Sequence, residues 1–440
     1  GWQGTASINQ STFRAKDCIF SQTSSTLIDK GGYQIPNGSG LLENSIASGF
    51  VVNTQFGVPF TYDGTATNGE VGFQAGGGDL STLRTYYPVA DPDNLAVRYM
   101  DLSSIWETCS KDITGRKRPG STDAGAFQSV SNRIISGNIP ADYATPQLLY
   151  TTQDTSSFLN GDTYLAVIES GSSTNGTSLV SNTGGREVDL TIHLKGASSH
   201  EGNWDQGTII VPTTPTSHLA NTQLYSARQD IKLVFEDIVF SGNHTNHNGQ
   251  GPIGGYKFAG NGAELTGGDW WAGAGIIGTA PELASKSRNA YNFEFEFNNC
   301  MIQMGNQGKL CMPQVKTVGA EADGTLTQGI TKGSFNNTLL LGSVTVGEIY
   351  AITPLYRITG QFDLEVIGST FRNVKHFSRI QKYGSVKVIG SLIETGPGGA
   401  SGVDDGYAES FLDRGWHYSD RYLTFSATDS IFSQASADLI

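Results

Sequence analysis

A four-residue phrase recurs in this sequence after only 22 residues, an interval too short for a separate domain. Val-Ile-Gly-Ser occupies residues 366–369 and again residues 388–391. Thr-Phe follows the first copy, and Leu-Ile follows the second. Repeats of roughly 20 to 30 residues are typical of solenoids, in which each repeat forms one coil and stacks on its neighbours. We therefore expect a chain built from stacked coils.

Alternating apolar and polar residues identify the strands within these coils. The alternation runs through residues 231–236, 292–297, 362–367 and 385–389, and a period of two residues predicts strands with one buried face. Several of these segments end in polar residues, often Asn or Asp, followed by an apolar pair. Such polar residues hydrogen-bond the backbone of tight turns, so we expect them at the corners of the coils.

Together these patterns predict an all-β fold, a parallel β-helix with glycine-rich loops on its rim. The chain contains 56 glycines in 440 residues, and only 16% of its residues are charged. That balance disfavours coiled coils and helical bundles. Spacings longer than 22 residues are interpreted as insertions at corners. On this interpretation residues 243–290 and residues 394–421 are loops.

Charge and cysteine content narrow the partners of the chain. The net charge is −13, so most of the surface would repel a polyanion, and we expect no binding to nucleic acid. No run approaches the roughly 20 apolar residues of a transmembrane helix, and we expect no membrane insertion in this segment. The four cysteines match no zinc motif and are too few for a disulfide scaffold. We expect them to be small buried residues.

A second, much longer repeat joins two distant parts of the sequence. Residues 12–28 and 424–440 agree at eleven of seventeen positions, at an offset of 412 residues. This agreement exceeds the weak similarity among the other coil segments of the chain. We interpret the two segments as the same place in successive copies of a domain of about 412 residues. The alternative, in which two coils converge on a similar phrase, stays open.

The most specific motif of the chain lies at residues 111–127, where Asp-x-x-Gly-x-x-Arg-Pro is followed by Asp-x-Gly-Ala-Phe. It resembles the closing segment of a family of extracellular right-handed parallel β-helix proteins, the pectate-lyase-like and chondroitinase-like solenoids. The resemblance implies a right-handed helix, and in that family the motif follows the last coils. Residues 1–130 would therefore be the C-terminal coils and closing segment of one β-helix unit. Residues 131–440 would be the first and middle coils of a following unit, opened by the Gly-Asp-Thr phrase at 161–163.

Fold alone does not decide function, because this family contains both polysaccharide lyases and proteins without known catalysis. The best carboxylate candidates are Asp404, Asp405 and Glu409 in a glycine-rich loop, since glycoside hydrolysis needs two carboxylates beside the scissile bond. Paired aspartates before glycine are more often turn residues, because Asp hydrogen-bonds its own backbone. We therefore assign no catalytic residue, and name these three only for the case that the chain is an enzyme.

Aromatic residues in or near the glycine-rich loops are the candidates for carbohydrate binding. Trp270 and Trp271 are adjacent and flanked by glycines, and Tyr407 and Trp416 accompany the acidic loop. Aromatic rings of this kind stack on the faces of sugars, although large aromatics also pack against the coil beneath a loop. The sequence therefore predicts sugar contact at these four residues, with a packing role as the alternative.

An acidic turn offers a weak candidate for metal binding. Asp91 and Asp93 flank a proline, and their oxygens suit calcium, but a single acidic turn supplies too few ligands by itself. We expect no cofactor, with calcium at these two residues as the alternative.

These observations favour a non-enzymatic, structural protein. We expect a segment of a large, repeat-containing bacterial cell-surface adhesin or fibre, extracellular, with polysaccharide or surface glycan and its own neighbouring repeats as partners. Tandem solenoids suit this task because their stability sums along the axis. Two alternatives stay open. One is a polysaccharide lyase or phage tailspike-type depolymerase acting on acidic polysaccharide, and the other is a non-enzymatic virion fibre protein.

Overall fold

The computed structural model describes the strands of the chain and several of the corners between them. Contacts within it separate the chain into two compact units, Gly1–Asn132 with Ser156–Gly161, and Arg133–Thr155 with Asp162–Ile440. The described residues are 12–16, 19–21, 39–43, 46–48, 54–55, 58–63, 90–91, 93–94, 100–101, 112–116, 118–119, 121–123, 128–152, 158–175, 180–181, 188–212, 220–224, 230–241, 277–279, 293–303, 308–311, 313–314, 330–341, 349–352, 361–374, 376–379, 383–395, 412–413 and 422–434.

The structure describes eight short strands in the first unit. They are β1 (Thr12–Lys16), β2 (Ile19–Ser21), β3 (Ser39–Glu43), β4 (Ile46–Ser48), β5 (Thr54–Gln55), β6 (Val58–Asp63), β7 (Met100–Asp101) and β8 (Ser121–Thr122). β3 pairs in parallel with β1 and with β6, and β2 pairs in parallel with β4. β5 pairs with β6, and β7 with β8, in antiparallel orientation. The parallel strands of this unit therefore form two ladders, β1-β3-β6 and β2-β4.

The second unit contains one described helix and the remaining strands. The helix α1 (Pro146–Thr151) begins after its N-cap residue Thr145, and its proline suits the first helical position. The strands are β9 (Ile134–Ile139), β10 (Asp162–Ile168), β11 (Gly171–Asn175), β12 (Val180–Ser181), β13 (Leu190–Gly196), β14 (Thr208–Pro212), β15 (Ala220–Leu224), β16 (Ile231–Glu236), β17 (Ile238–Ser241), β18 (Ile277–Thr279), β19 (Phe293–Asn298), β20 (Met301–Gln303), β21 (Gly308–Cys311), β22 (Pro313–Gln314), β23 (Ile330–Asn336), β24 (Leu339–Leu341), β25 (Ile349–Ile352), β26 (Gln361–Ile367), β27 (Thr370–Val374), β28 (His376–Arg379), β29 (Tyr383–Ile389), β30 (Leu392–Thr395), β31 (Leu412–Asp413), β32 (Tyr422–Thr428) and β33 (Ile431–Gln434).

Successive strands of the second unit enter different sheets and return to the first sheet one coil later. A nine-stranded sheet has the order β9-β10-β13-β16-β19-β23-β26-β29-β32, and an eight-stranded sheet has the order β11-β14-β17-β20-β24-β27-β30-β33. Two four-stranded sheets, β12-β15-β18-β22 and β21-β25-β28-β31, contain the further strands of the coils, and the coil that begins with β19 contributes one strand to each. Neighbouring strands in these sheets are parallel, for example β26 with β29 and β27 with β30. The fold is an all-β parallel β-helix, as the sequence predicts.

The repeat of 22 residues corresponds to two coils in direct contact. Val366 pairs with Val388 and Ile367 with Ile389 in the nine-stranded sheet. Phe371 pairs with Ile393 in the eight-stranded sheet. The sequence prediction of stacked coils is confirmed here residue by residue, because identical side chains at this offset occupy the same position in neighbouring coils.

The predicted loops at 243–290 and 394–421 each contain a short strand, so the prediction of a single loop is wrong for both segments. β18 lies within the first and pairs with β15, and β31 lies within the second and pairs with β28. Strands of two or three residues are too short to show the alternation that identifies longer strands. The glycine-rich residues around them lie outside the described part of the chain.

Alternation along the strands divides the nine-stranded sheet into a buried and an outer face. β10 and β13 show buried and half-buried residues in strict alternation over seven residues each. The buried face carries a stack of aromatic rings, in which Phe297 lies 4.9 Å from Phe235 and 5.0 Å from Phe335 between ring centroids, both pairs stacked. Cys300 is a free, buried thiol, which confirms the prediction for that cysteine.

Candidate functional surfaces

The outer face of the nine-stranded sheet carries a row of charged side chains along the second unit. They occupy the half-buried or exposed positions of β13, β16, β19, β23, β26 and β29, and they alternate in sign from coil to coil. The ion pairs, each between neighbouring coils, are Lys195–Glu236 at 2.5 Å, Lys232–Glu296 at 2.6 Å, Lys332–Glu294 at 3.5 Å and Lys387–Glu365 at 2.5 Å. The face is therefore polar, and a cation is matched with a carboxylate at four of the steps between its neighbouring strands.

One cluster on this face combines a histidine with an ion pair. Glu236 accepts a hydrogen bond from Lys195 Nζ at 2.5 Å, and its other oxygen lies 2.9 Å from His193 Nε2. Burial lowers the pKa of His193 against the opposing effect of Glu236. Burial also acts to raise the pKa of Glu236, but Lys195 and His193 outweigh it and leave that pKa lowered. The cluster holds a carboxylate in its charged form beside a neutral imidazole near pH 7.

Sequence analysis did not identify this cluster. His193 and Lys195 lie on β13, whereas Glu236 lies on β16, 41 residues after Lys195. The alternation in each strand places all three side chains on an outer face, but it does not show which residues of two strands lie opposite each other. No fixed number of residues separates facing positions either, because neighbouring coils differ in length.

The corner between the nine-stranded and the eight-stranded sheet is built in the same way in six coils. Its first residue has a positive φ near 50°, in the left-handed region that favours Gly, Asn and Asp. The residues are Asp237 (56°), Asn299 (51°), Asn337 (48°), Gly368 (56°), Gly390 (55°) and Asp429 (50°). The prediction that Asn and Asp occupy coil corners is confirmed, and the left-handed backbone explains why glycine replaces them in two coils.

Side chains at these corners bond to one another along the axis. Asn337 Nδ2 donates to Asn299 Oδ1 at 2.9 Å, and Asn299 Nδ2 donates in turn to Asp237 Oδ1. The backbone continues the ladder, since the N–H of Asn337 donates to the carbonyl of Ile367 in the next coil at 2.9 Å. Each corner is thereby tied to the coil above and below it.

In the last four of these corners the next residue carries a hydroxyl, and these hydroxyls form a chain along the axis. Ser369 Oγ accepts from the Thr338 N–H at 3.0 Å and donates to the Phe335 carbonyl, and Ser391 Oγ accepts from the Ser369 N–H at 3.0 Å. Ser430 Oγ accepts from the Ser391 N–H at 3.2 Å. These hydroxyls accept hydrogen bonds from backbone N–H groups at the turn, which buried backbone groups need.

The corner after β13 differs, because eleven residues, 197–207, replace the single left-handed residue. This segment places a buried histidine over the corner ladder. His200 Nδ1 accepts from the Gly202 N–H at 3.0 Å, so Nε2 carries the proton and donates to the Asn299 carbonyl at 2.8 Å. The contact joins residues 99 positions apart. His200 thus anchors the insertion to the second coil beyond it and serves as a structural residue.

The motif at 111–127 forms a buried hydrogen-bonded network in the first unit. Asp112 Oδ1 accepts from the N–H groups of Thr114 and Arg116, both at 2.9 Å, which closes a turn. Asp123 Oδ2 accepts from the Ser129 N–H at 2.6 Å, and Arg118 Nη1 donates to the Asp123 carbonyl at 3.1 Å. Arg118 and Asp123 are each 1% exposed, so the motif residues serve as the polar core of this segment.

Most of the predicted site residues lie outside the described residues. These are the conditional catalytic carboxylates and the aromatic sugar contacts, namely Asp404, Asp405, Glu409, Trp270, Trp271, Tyr407 and Trp416. Asp91 and Asp93 are described and form a turn, in which Asp91 Oδ1 accepts from the Asp93 N–H at 2.9 Å. Within the described ranges, no group of three His, Cys, Asp or Glu side chains is placed to hold a metal ion.

Comparisons with known proteins found no match, since no family model, no curated protein and no solved structure is significantly similar to this chain. In the part of the chain that the structure describes, no helix has the length and apolarity to cross a bilayer. The family resemblance at 111–127 therefore stays a prediction, and the polar face, the corner ladder and the buried motif network are the features from which function is inferred.

Proposed function

We propose that this chain is a structural, extracellular β-helix segment of a repeat-containing bacterial cell-surface adhesin or fibre. The carrying observation is the hydrogen bonding and ion pairing between neighbouring coils of the second unit. Corner amides, corner hydroxyls and outer ion pairs each connect several neighbouring coils, as in Asn337–Asn299, Ser391–Ser369 and Lys387–Glu365. A solenoid bonded in this way gains stability coil by coil and spans length with few residues.

The buried motif network supports the family part of the proposal. Asp112, Arg118 and Asp123 are the charged positions of the motif, and all three are buried in one network with Gln128 and Ser129. A motif whose charged residues are needed for packing is expected to keep its pattern among proteins that share this closing segment. The proposal therefore includes membership of the extracellular right-handed β-helix proteins.

Surface labelling of intact cells tests the location. An antibody raised against the 440-residue chain is applied to intact and to permeabilised cells of the bacterium that encodes it. We expect equal labelling of both samples. Labelling that requires permeabilisation would contradict the cell-surface location, and labelling of purified phage particles would favour the virion fibre instead.

Polysaccharide or surface glycan is the proposed partner, bound to the polar face of the nine-stranded sheet and by the aromatic residues Trp270, Trp271, Tyr407 and Trp416. The polar face supplies donors and acceptors on several neighbouring coils, which is the chemistry that recognises sugar hydroxyls. The neutral imidazole of His193 and the charged carboxylate of Glu236 add two further groups that can accept hydrogen bonds from sugar hydroxyls. No resident cofactor is proposed, and calcium at Asp91 and Asp93 is kept as the alternative.

A matched pair of variants tests the partner. Lys387 on the nine-stranded sheet and Arg372 on the eight-stranded sheet are 53% and 51% exposed, and each is paired with a glutamate of a neighbouring coil. We expect Lys387→Ala to weaken binding to a panel of neutral and acidic polysaccharides several-fold, and Arg372→Ala to leave it unchanged. Equal effects of both substitutions would show that the nine-stranded face is not the binding surface.

The same panel separates binding from catalysis. After incubation with the native chain, we expect polysaccharides of unchanged length. New reducing or unsaturated chain ends would overturn the structural proposal in favour of a depolymerase. In that event Asp404→Ala and Asp405→Ala examine the conditional catalytic residues, and activity that survives both would exclude them.

A further inference from the structure

The insertion that replaces the corner after β13 is a loop whose backbone is fixed at three points. All eleven of its residues, 197–207, belong to the described part of the chain. Both ends bond to the preceding coil, through the N–H of Ala197 and the carbonyl of Gly207, each at 2.8 Å. Between these ends, His200 Nε2 donates to the Asn299 carbonyl at 2.8 Å. The loop is therefore held by the coil before it and by the second coil after it.

Hydrogen bonds within the loop fix its backbone further. His200 accepts from two N–H groups, that of Gly202 at its Nδ1 and that of Asn203 at its carbonyl, at 3.0 and 2.8 Å. The N–H of Asp205 donates to Asn203 Oδ1 at 3.0 Å. A Cβ added at Gly207 would lie 2.9 Å from the His200 nitrogen, so the end of the loop packs against its middle. A partner that binds such a loop orders few additional groups, and the entropic cost of binding is small.

The side chains at the tip of this loop are not used by the fold. Trp204 is partly exposed, and no described residue forms a hydrogen bond or a ring contact with its indole. Glu201, Asp205 and Gln206 are exposed, and their side chains form no hydrogen bond or ion pair with a described residue. A fixed backbone thus presents one aromatic ring and three hydrogen-bonding side chains within six consecutive residues.

We propose that residues 201–206 form a carbohydrate subsite, in which the indole of Trp204 stacks on a pyranose ring. A sugar ring has an apolar C–H face and a rim of hydroxyls, and indole offers an apolar face together with an N–H donor. The carboxylates of Glu201 and Asp205 accept hydrogen bonds from hydroxyls, and the amide of Gln206 both donates and accepts. The inference rests on the proposed glycan partner. It adds a site where the chain leaves the nine-stranded sheet at the end of β13.

The charges around the loop select neutral sugars. The loop contains two carboxylates, Glu201 and Asp205, and no Lys or Arg. Glu169, also exposed, lies at the facing corner of the preceding coil, where its carbonyl accepts from a residue that follows the loop. Lys195 lies just before the loop, but its ammonium group is paired with Glu236 at 2.5 Å. An acidic polysaccharide would meet like charge here, so the subsite is one for neutral glycans.

Matched pairs of polysaccharides test the proposal on the full 440-residue chain. The probes are dextran, galactomannan and hydroxyethyl cellulose, each compared with its carboxymethyl derivative by affinity electrophoresis. We expect the native chain to bind at least one neutral form more tightly than its carboxymethyl derivative. Trp204→Ala should weaken that binding by at least about tenfold, because a truncated tryptophan anchor removes much of the contact. Arg372→Ala, on the eight-stranded sheet, is the control and should leave it unchanged.

A charge variant tests the selectivity separately from the ring. Glu201→Gln combined with Asp205→Asn keeps the size and hydrogen bonding of both side chains and removes their charge. We expect affinity for the neutral form to stay within about twofold, and affinity for the carboxymethyl form to rise several-fold at low salt. A loop with a structural role alone would not change this preference.

The outcomes separate this subsite from the proposed glycan partner. If Trp204→Ala binds like the native chain while Lys387→Ala binds more weakly, the subsite is overturned and the partner stands. Binding of none of the probes by the native chain overturns both. If Trp204→Ala also lowers the midpoint of urea unfolding, the charge variant decides, and an unchanged preference for the neutral form overturns the proposal. Self-association of the native chain that Trp204→Ala abolishes would assign the loop to a contact between copies instead.

Discussion

The two faces of the nine-stranded sheet share one backbone register but depend on it to different degrees. On the inner face, Phe297 stacks on Phe235 and Phe335 at centroid distances of 4.9 and 5.0 Å. On the outer face, Lys387 and Glu365 of neighbouring coils form an ion pair at 2.5 Å. Both contacts repeat along the axis, but the first removes apolar area from water, whereas the second pairs charges that water already solvates. Stability should therefore reside in the inner column and the corner, and the outer face should be free to vary for binding.

The inner column should show the largest effect. Phe297→Ala removes a fully buried ring (0% exposed) between two stacked partners, and we expect a loss of about 3–5 kcal/mol in the free energy of unfolding. Urea denaturation followed by circular dichroism measures it. Phe297→Leu is the control and should cost only about 1 kcal/mol. If the alanine variant loses less than the leucine variant, the aromatic stack does not carry the stability assigned to it.

The corner should come second. Ser369→Ala leaves the Thr338 N–H without its acceptor at 3.0 Å, and an unsatisfied buried donor costs about 1–3 kcal/mol. Ser430→Ala is the matched control, because its hydroxyl belongs to the last described corner and is partly exposed, so water replaces the lost contact. Equal losses in the two variants would show that the hydroxyl chain adds no more inside the helix than at its end.

The outer face should respond least to a single substitution. Lys387→Met removes the ammonium group of the Glu365 ion pair, and both side chains are more than one third exposed. Exposed ion pairs contribute about 0–1 kcal/mol, and we expect a change within that range in the same urea experiment. A loss comparable to that of Phe297→Ala would remove the distinction between the two faces.

The pH dependence of His193 gives the smallest and most specific effect. Burial lowers its pKa below the ordinary value of 6.5, so the unfolded chain takes up a proton at this residue before the folded chain does. The stability that depends on neutral His193 is therefore complete above pH 6.5 and is lost as the pH falls from 6.5 towards the lowered folded pKa. Comparing unfolding of the native chain and His193→Gln at pH 7.5 and pH 5 should show a steeper loss in the native chain. Parallel pH profiles would contradict it.

The sequence predicted those parts of the fold whose signal lies within one strand or one short repeat. Alternation identified β16, β19, β26 and β29, and the Val-Ile-Gly-Ser repeat predicted the pairing of β26 with β29 because only 22 residues separate the coils. The strands β18 and β31 of the two four-stranded sheets were not predicted, because they have only three and two residues. Strands of that length carry no period.

The sequence predicted the candidate surfaces less well than the strands. The reason differs between the corner residues and the His193 cluster. The corner residues Asn299 and Asn337 follow from local turn chemistry, which favours Asn where φ is positive. The cluster of His193, Lys195 and Glu236 depends on which coil lies next to which, and the sequence alone does not contain that information. The aromatic and acidic loop residues, Trp270 and Asp404 among them, stay predictions that the polysaccharide panel examines.

The sequence by itself determined that the chain forms coils, which residues alternate inward, and which corners need Gly, Asn or Asp, because each is set by the covalent geometry of a few consecutive residues. Only the tertiary structure decided the contacts between coils. Coil lengths vary from 22 residues between Phe362 and Gly384 to 62 between Ile231 and Phe293, so the partner of an outer side chain cannot be counted along the chain. His200 reaches the Asn299 carbonyl across 99 residues for the same reason: stacking, not sequence distance, sets which groups meet.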